Sequence, residues 1–158
     1  SAKSATSNLI SNTGVQGSDV SAVGTARDLL AATQYGGDKG IFGYGTTGSV
    51  SSLSNLVSNA GVVATDVTGV GTDRRGLAAC GYGYDKGIFG YGTTSGNVSL
   101  TNLVSNSGVV ATDVTGVGTA REELAACSYG SDKGIFGYGI VFTYLRYVHI
   151  QIVTNLGD

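Results

Sequence analysis

The eight residues DKGIFGYG stand in this chain three times, from Asp38, Asp85 and Asp132, each copy starting 47 residues after the last. A repeat of this length is one supersecondary unit that cannot bury its apolar face alone, so the chain must build a stack, a solenoid or a ring. The wider repeat begins at Ser7 (SNLISNTGVQGSDVSAVGTAR) and returns at Ser54 (SNLVSNAGVVATDVTGVGTDR) and Thr101 (TNLVSNSGVVATDVTGVGTAR). Between Ser54–Gly92 and Thr101–Gly139, 32 of 39 positions are identical, and Ser7–Gly45 matches the second copy at 26 of 39. Residues 1–158 read as a single repeat domain, with repeats over 7–53, 54–100 and 101–147 and a divergent tail over 140–158. The closing VTNLGD echoes VSNSGV, as if a fourth copy were beginning.

Each repeat reads as four short strands, which makes the fold class all-β. In the first full unit they are RDLLAAT from Arg27, KGIFGYG from Lys39, SVSSLSNLVS from Ser49 and GVVATDV from Gly61. The apolar runs are short and bounded by Gly, Asn, Asp or Thr, as strands are. YGGD, TTG and SNAG supply turn residues that tolerate positive φ. ARDLLAATQYG and AREELAACSYG could also start a helix, but each meets Gly too soon for a stable one. The 27 glycines and the absence of proline fit short strands joined by tight turns.

Four strands in about 47 residues is the size of a propeller blade. The pattern TGVGTAR–LAA–YG–DKGIFGYG resembles the kelch repeat family: an Arg opening strand one, small residues along it, then a turn and an apolar strand closing on a glycine pair. The pair is Tyr-Gly here (Tyr44-Gly45, Tyr91-Gly92, Tyr138-Gly139), and no Trp occurs. The repetition is also similar to kelch-type proteins of phages and uncultured viruses. The resemblance implies a β-propeller of four-stranded blades, about three per chain.

A closed propeller has about 4–8 blades. Three are too few, and open strand edges invite association. The expectation is therefore a homodimer forming a six-bladed ring, in which NLISNTGVQGSDV completes a blade begun from Arg121 onward. A longer parent protein or a filament are the alternatives. The tail from Ile140 (IVFTYLRYVHIQIVTNLGD) is apolar and alternating through Phe142, Tyr144, Val148, Ile150 and Ile152. It reads as one long strand, either a subunit contact or a terminal blade with a different third strand.

Composition narrows the chemistry. Net charge is −2 and only 13% of residues are charged, with no basic stripe for nucleic acid and no charge-driven membrane contact. No apolar run approaches about 18 residues. SAKSATSNLI lacks the apolar core of a secretory signal. The hydroxyl-rich, charge-poor surface suits a secreted or virion protein. GDKGIFGYG is no phosphate loop, because its Lys precedes the glycines and no helix follows. The single histidine, His149, excludes a His-based metal cluster within one chain, and it reads as a strand residue. No Ca²⁺ loop is legible, and neither cofactor nor metal is implied. Cys80 and Cys127 share a repeat position held by Thr33 in the first copy, and both read as buried, reduced thiols.

The repeated charges are Arg27, Arg74 and Arg121; Asp38, Asp85 and Asp132; Lys39, Lys86 and Lys133; and Asp19, Asp66 and Asp113. In a charge-poor chain these read as structural Arg–Asp bridges and turn hydrogen bonds, with one ligand site per blade as the alternative. Tyr35, Tyr82 and Tyr129 are candidates for a binding surface, as are Tyr44, Tyr91 and Tyr138, since aromatic faces stack on sugar rings. Inter-blade packing is the other reading of the same rings. The function expected is a non-enzymatic, kelch-like module for protein assembly or partner binding, extracellular or on a virion. The alternative is a lectin-like propeller with one weak glycan site per blade. The stretches that differ between copies, RRG against REE, are where a single partner would be recognised.

Overall fold

The structure, a computed structural model, describes residues 2–142. It is all-β, with ten short strands in four small antiparallel sheets and no helix among the described residues. The strands are β1 (Ser7–Ile10), β2 (Gln16–Val20), β3 (Ala31–Tyr35), β4 (Lys39–Gly43), β5 (Ser54–Val57), β6 (Ala78–Tyr82), β7 (Lys86–Gly90), β8 (Thr101–Val104), β9 (Ala125–Tyr129) and β10 (Lys133–Gly137). The two central sheets run β3-β4-β5 and β6-β7-β8, and two-stranded sheets β1-β2 and β9-β10 flank them.

Each repeat folds by the same local rules. Ala31 pairs with Gly43 and Tyr35 with Lys39, leaving a three-residue loop. Its first two positions are left-handed in every copy: Gly36 and Gly37, Gly83 and Tyr84, Gly130 and Ser131. β5 then adds to β4, with Gly40 opposite Val57 and Gly43 opposite Ser54. The fourth strand expected over Gly61–Val67 is only sketched, touching β5 at two isolated bridges, Val57–Val63 and Ser54–Val67. In the first copy its counterpart, β2, is a full strand paired with β1.

Two boundaries differ from the sequence reading. Strand one begins at Ala31, not Arg27, because the chain turns left-handed just before it, at Leu29 (φ 52°). Gly76 and Glu123 hold the same repeat position with the same sign of φ. This kink lets the backbone step between repeats: Gly76 N–H donates to Leu29 O (2.9 Å), and Glu123 N–H to Gly76 O (2.7 Å). Strand three is confined to Ser54–Val57, with Val50 and Ser51 held only in isolated bridges.

The sheets pack through their first strands, β3 on β6 and β6 on β9. The core runs between the two central sheets and contains Ala31, Tyr35, Ile41, Tyr44, Leu77, Phe89 and Val104. The flanking sheets are mostly exposed. The strand expected in the tail beyond Phe142, and His149 with it, lies outside the described residues.

Candidate functional site

The repeated side chains converge at the junctions between sheets. In the second unit Arg74 is fully buried. Its Nη2 donates to Asn102 Oδ1 (2.6 Å), Nε to Tyr91 O (3.0 Å), and Nη1 to Thr72 O (3.2 Å) and Asp113 Oδ1 (3.4 Å). Asn102 donates to Asp113 (2.9 Å) and to Ala111 O (3.0 Å), and the Thr72 hydroxyl donates to Asp113 (2.6 Å). The first unit repeats the arrangement in part, with Arg27 Nε and Nη1 buried and making no hydrogen bond among the described residues. Arg27 donates to Asn55 (2.6 Å), Asn55 to Asp66 (2.8 Å) and the Thr25 hydroxyl to Asp66 (2.6 Å), with Arg27 and Asp66 paired at 3.7 Å.

These contacts set the electrostatics. The hydrogen bond from Thr25 holds the Asp66 carboxyl below its usual range, helped by Asn55 and the Arg27 charge. At Asp113 burial pushes the carboxyl up, but Thr72, Asn102 and Arg74 together outweigh it and leave the net shift downward. Burial lowers the Arg27 guanidinium, partly opposed by Asp66.

DKGIFGYG supplies the apolar half of each junction. Its Tyr packs on the Phe of the next copy: Tyr44 edge-on to Phe89 at 5.2 Å between ring centroids, and Tyr91 tilted against Phe136 at 5.5 Å. The guanidinium carbons of Arg74 and Arg121 sit 4.6 and 4.3 Å from the Tyr44 and Tyr91 centroids. Tyr44 and Tyr91 hydroxyls donate to Val70 O (3.1 Å) and Val117 O (3.2 Å) in the following unit. Burial pushes the Tyr44 hydroxyl up to about 12. These tyrosines stand at positive φ, 65° at Tyr44 and 64° at Tyr91, which is unusual for a bulky residue. The kink turns the ring out of its own sheet and onto the neighbour.

The turn charges are local and exposed. Asp38, Asp85 and Asp132 pair with the adjacent Lys39, Lys86 and Lys133 at 2.8, 3.1 and 2.5 Å. Asn59 and Asn106 also donate to Asp38 and Asp85 (3.2 and 3.1 Å). The carbonyls matter more, because Gly36 N–H and Gly83 N–H donate across the junction to Asp85 O and Asp132 O, both at 2.7 Å.

Tyr35, Tyr82 and Tyr129 do not share one environment. Tyr35 is a core residue beside Gly108, Tyr82 is half-buried and Tyr129 exposed. A small cavity of about 120 Å³ brings Tyr35 and Tyr82 together, with Gln34, Tyr84, Asp85, Lys86 and Ser128 around them. Both cysteines are free. Cys80 is buried, and burial pushes its thiol up. Cys127 is exposed, contrary to the expectation of two buried thiols, because it lies on the last described sheet, with none packed over it. Among the described residues no group of three or more His, Cys, Asp or Glu comes together, and no helix is long and apolar enough to cross a membrane.

Sequence reasoning passed over Asn8, Asn55 and Asn102. Their signal is an amide kept at the same place in every copy of the strand, next to Leu. Comparison with protein-family models and with curated proteins finds no match to this chain.

Proposed function

We propose that this chain is a non-enzymatic scaffold of kelch-like propeller blades that acts through assembly or partner binding, on a virion or outside the cell. The observation that carries the reading is the engagement of the recurrent polar side chains by one another. Arg74, Asn102, Asp113 and Thr72 saturate each other in one closed network. Such a network holds repeats in place and leaves no pair of its groups poised for proton transfer. Each central sheet, with its bridged fourth segment, is a blade in this reading. Two chains would supply six blades, a number within the range of closed rings. Native mass spectrometry tests this, with a particle at twice the 15.9 kDa protomer mass expected. A protomer that stays single at all concentrations refutes assembly.

A second reading, a glycan-binding surface, is favoured by the cavity beside Tyr82 and by the exposed ring of Tyr84 on its rim. Aromatic faces beside hydrogen-bonding groups suit sugar rings. A glycan array probed with the wild type and Tyr84→Ala separates the two, since binding lost in the variant supports the lectin and no binding at all supports assembly alone.

A further inference from the structure

The two ends of the described chain are complementary halves of one unit. At the N-terminal end Asn8 donates to Asp19 (2.8 Å) and Gly17 O (3.2 Å), as Asn55 and Asn102 do to their own partners, but no arginine among the described residues reaches it. At the other end Arg121 stacks on Tyr91 and donates to Thr119 O (3.2 Å) and Phe136 O (3.4 Å), with no Asn–Asp pair opposite it among the described residues. Among the described residues, one end holds Asn and Asp without Arg, and the other holds Arg without Asn and Asp.

The strands match in the same way. β10 pairs only with β9, and β1 only with β2, among the described strands. Their counterparts pair in both central sheets, Ile41 with Leu56 and Ile88 with Leu103. One repeat onward this register would use 148–151 of the same chain, which lie outside the described residues; with β1 of a second copy in the place of β5 and β8, it sets Ile135 opposite Leu9 and Phe136 opposite Asn8. Tyr44 is 1% exposed and its counterpart Tyr138 is 92% exposed, while Ile41 is 1% and Ile135 53% exposed. A cavity of about 180 Å³ meanwhile opens beside Arg27, Phe42, Val23 and Asn55. Arg27, Phe42 and Val23 are the counterparts of Arg74, Phe89 and Val70, the three residues that receive Tyr44.

We propose that a second copy of this chain docks head to tail: β10 of one copy adds to β1 of the next, and Tyr138 enters the cavity between Arg27 and Phe42 of that copy. Arg121 then meets Asn8 and Asp19 of the second copy, completing the network that Arg74 forms within one chain. This inference rests on the scaffold reading and specifies its seam. Strand addition gives main-chain affinity, and the aromatic and guanidinium sockets fix the register.

The test uses full-length chains in a Cys80→Thr, Cys127→Thr background, since Thr33 already occupies this repeat position. Leu9→Cys and Ile135→Cys are made in separate chains at exposed sites, mixed, and treated with a short thiol–thiol cross-linker. A covalent pair is expected from the mixture, roughly 100-fold above the same chains mixed in denaturant, because adjacency raises the effective concentration. Neither variant alone should yield it. A multi-subunit particle without this product overturns the seam and leaves the scaffold reading standing. A product formed within a single doubly substituted chain also overturns it, and absence of product because residues 143–158 cover β10 does the same. Tyr138→Ala, a change at an exposed side chain, should leave the circular dichroism intact and reduce the particle to protomers. Persistence of the particle in that variant refutes the docking of Tyr138.

Discussion

Gly43 is the point where one repeat rests on the next. A Cβ built there would lie 2.6 Å from Phe89 Cζ and about 3 Å from both Cε atoms, closer than a methyl group can approach a ring edge. Phe89 has no room to retreat, because it is fully buried against Tyr44. Overpacking of this kind costs about 1–3 kcal/mol. Gly43 has no positive φ, so alanine also gains about 0.5–1 kcal/mol from a stiffer unfolded chain. Gly43→Ala should therefore destabilise by about 1–2 kcal/mol net. Phe89→Leu alone loses the edge-on ring contact and leaves a gap above Gly43. In the double variant the new methyl fills part of that gap, so the pair should cost about 1–2 kcal/mol less than the sum of the singles. Urea unfolding of the four proteins measures the cycle. Effects that add within about 0.5 kcal/mol would show that glycine is kept at 43 for some reason other than the neighbouring ring. Gly137→Ala is the internal control, since nothing lies within 4 Å of its built Cβ, and the protomer should not register it.

Further outcomes follow from the junctions. Arg74→Lys should cost about 2–4 kcal/mol in urea unfolding, because a single ammonium cannot replace a buried fork with four acceptors. Arg121→Lys, at the half-built junction, should cost the protomer clearly less. Asp66 and Asp113 are held below their unfolded values, so their contribution is complete above about pH 4 and is lost as pH falls through the lower folded values. Melting temperature should drop below that pH, and Asp113→Asn should flatten the drop by ~1 kcal/mol or less, since this carboxylate is partly open to solvent. In dissociated protomers a thiol reagent should modify exposed Cys127 well before buried Cys80, read by peptide mass mapping.

Much of the architecture was legible because it is local. β4 spans Lys39–Gly43 within the motif that announced it, and the Gly-rich loops turn where their glycines stand. What escaped lies between residues a repeat or more apart. Strand one was set to begin at Arg27, where the sequence is locally strand-like, yet Leu29 adopts a left-handed turn because its carbonyl must meet Gly76. Cys80 and Cys127 are the same residue in the same local context, and among the described residues only Cys80 has a following sheet packed beside it. Tyr35 and Tyr129 diverge for the same reason. The candidate Arg and Asp residues were legible from their repetition, but the Asn that joins them was not, because a lone amide in a strand carries no charge pattern to read.

The left-handed Tyr at the end of each motif has a consequence for the gene. A non-glycine residue in that conformation costs about 1–2 kcal/mol, and at Tyr44 and Tyr91 the ring's packing against the following repeat helps to offset it. The contacts that hold one copy are thus made by its successor, and the successor is nearly identical in sequence. Excising residues 54–100 would join Leu53 to Thr101 and hand Tyr44 a new neighbour in Phe136, with the same partners at each step. Unequal recombination in units of 47 codons can therefore lengthen or shorten this protein without any compensating substitution, whereas a deletion of any other length would strand a tyrosine.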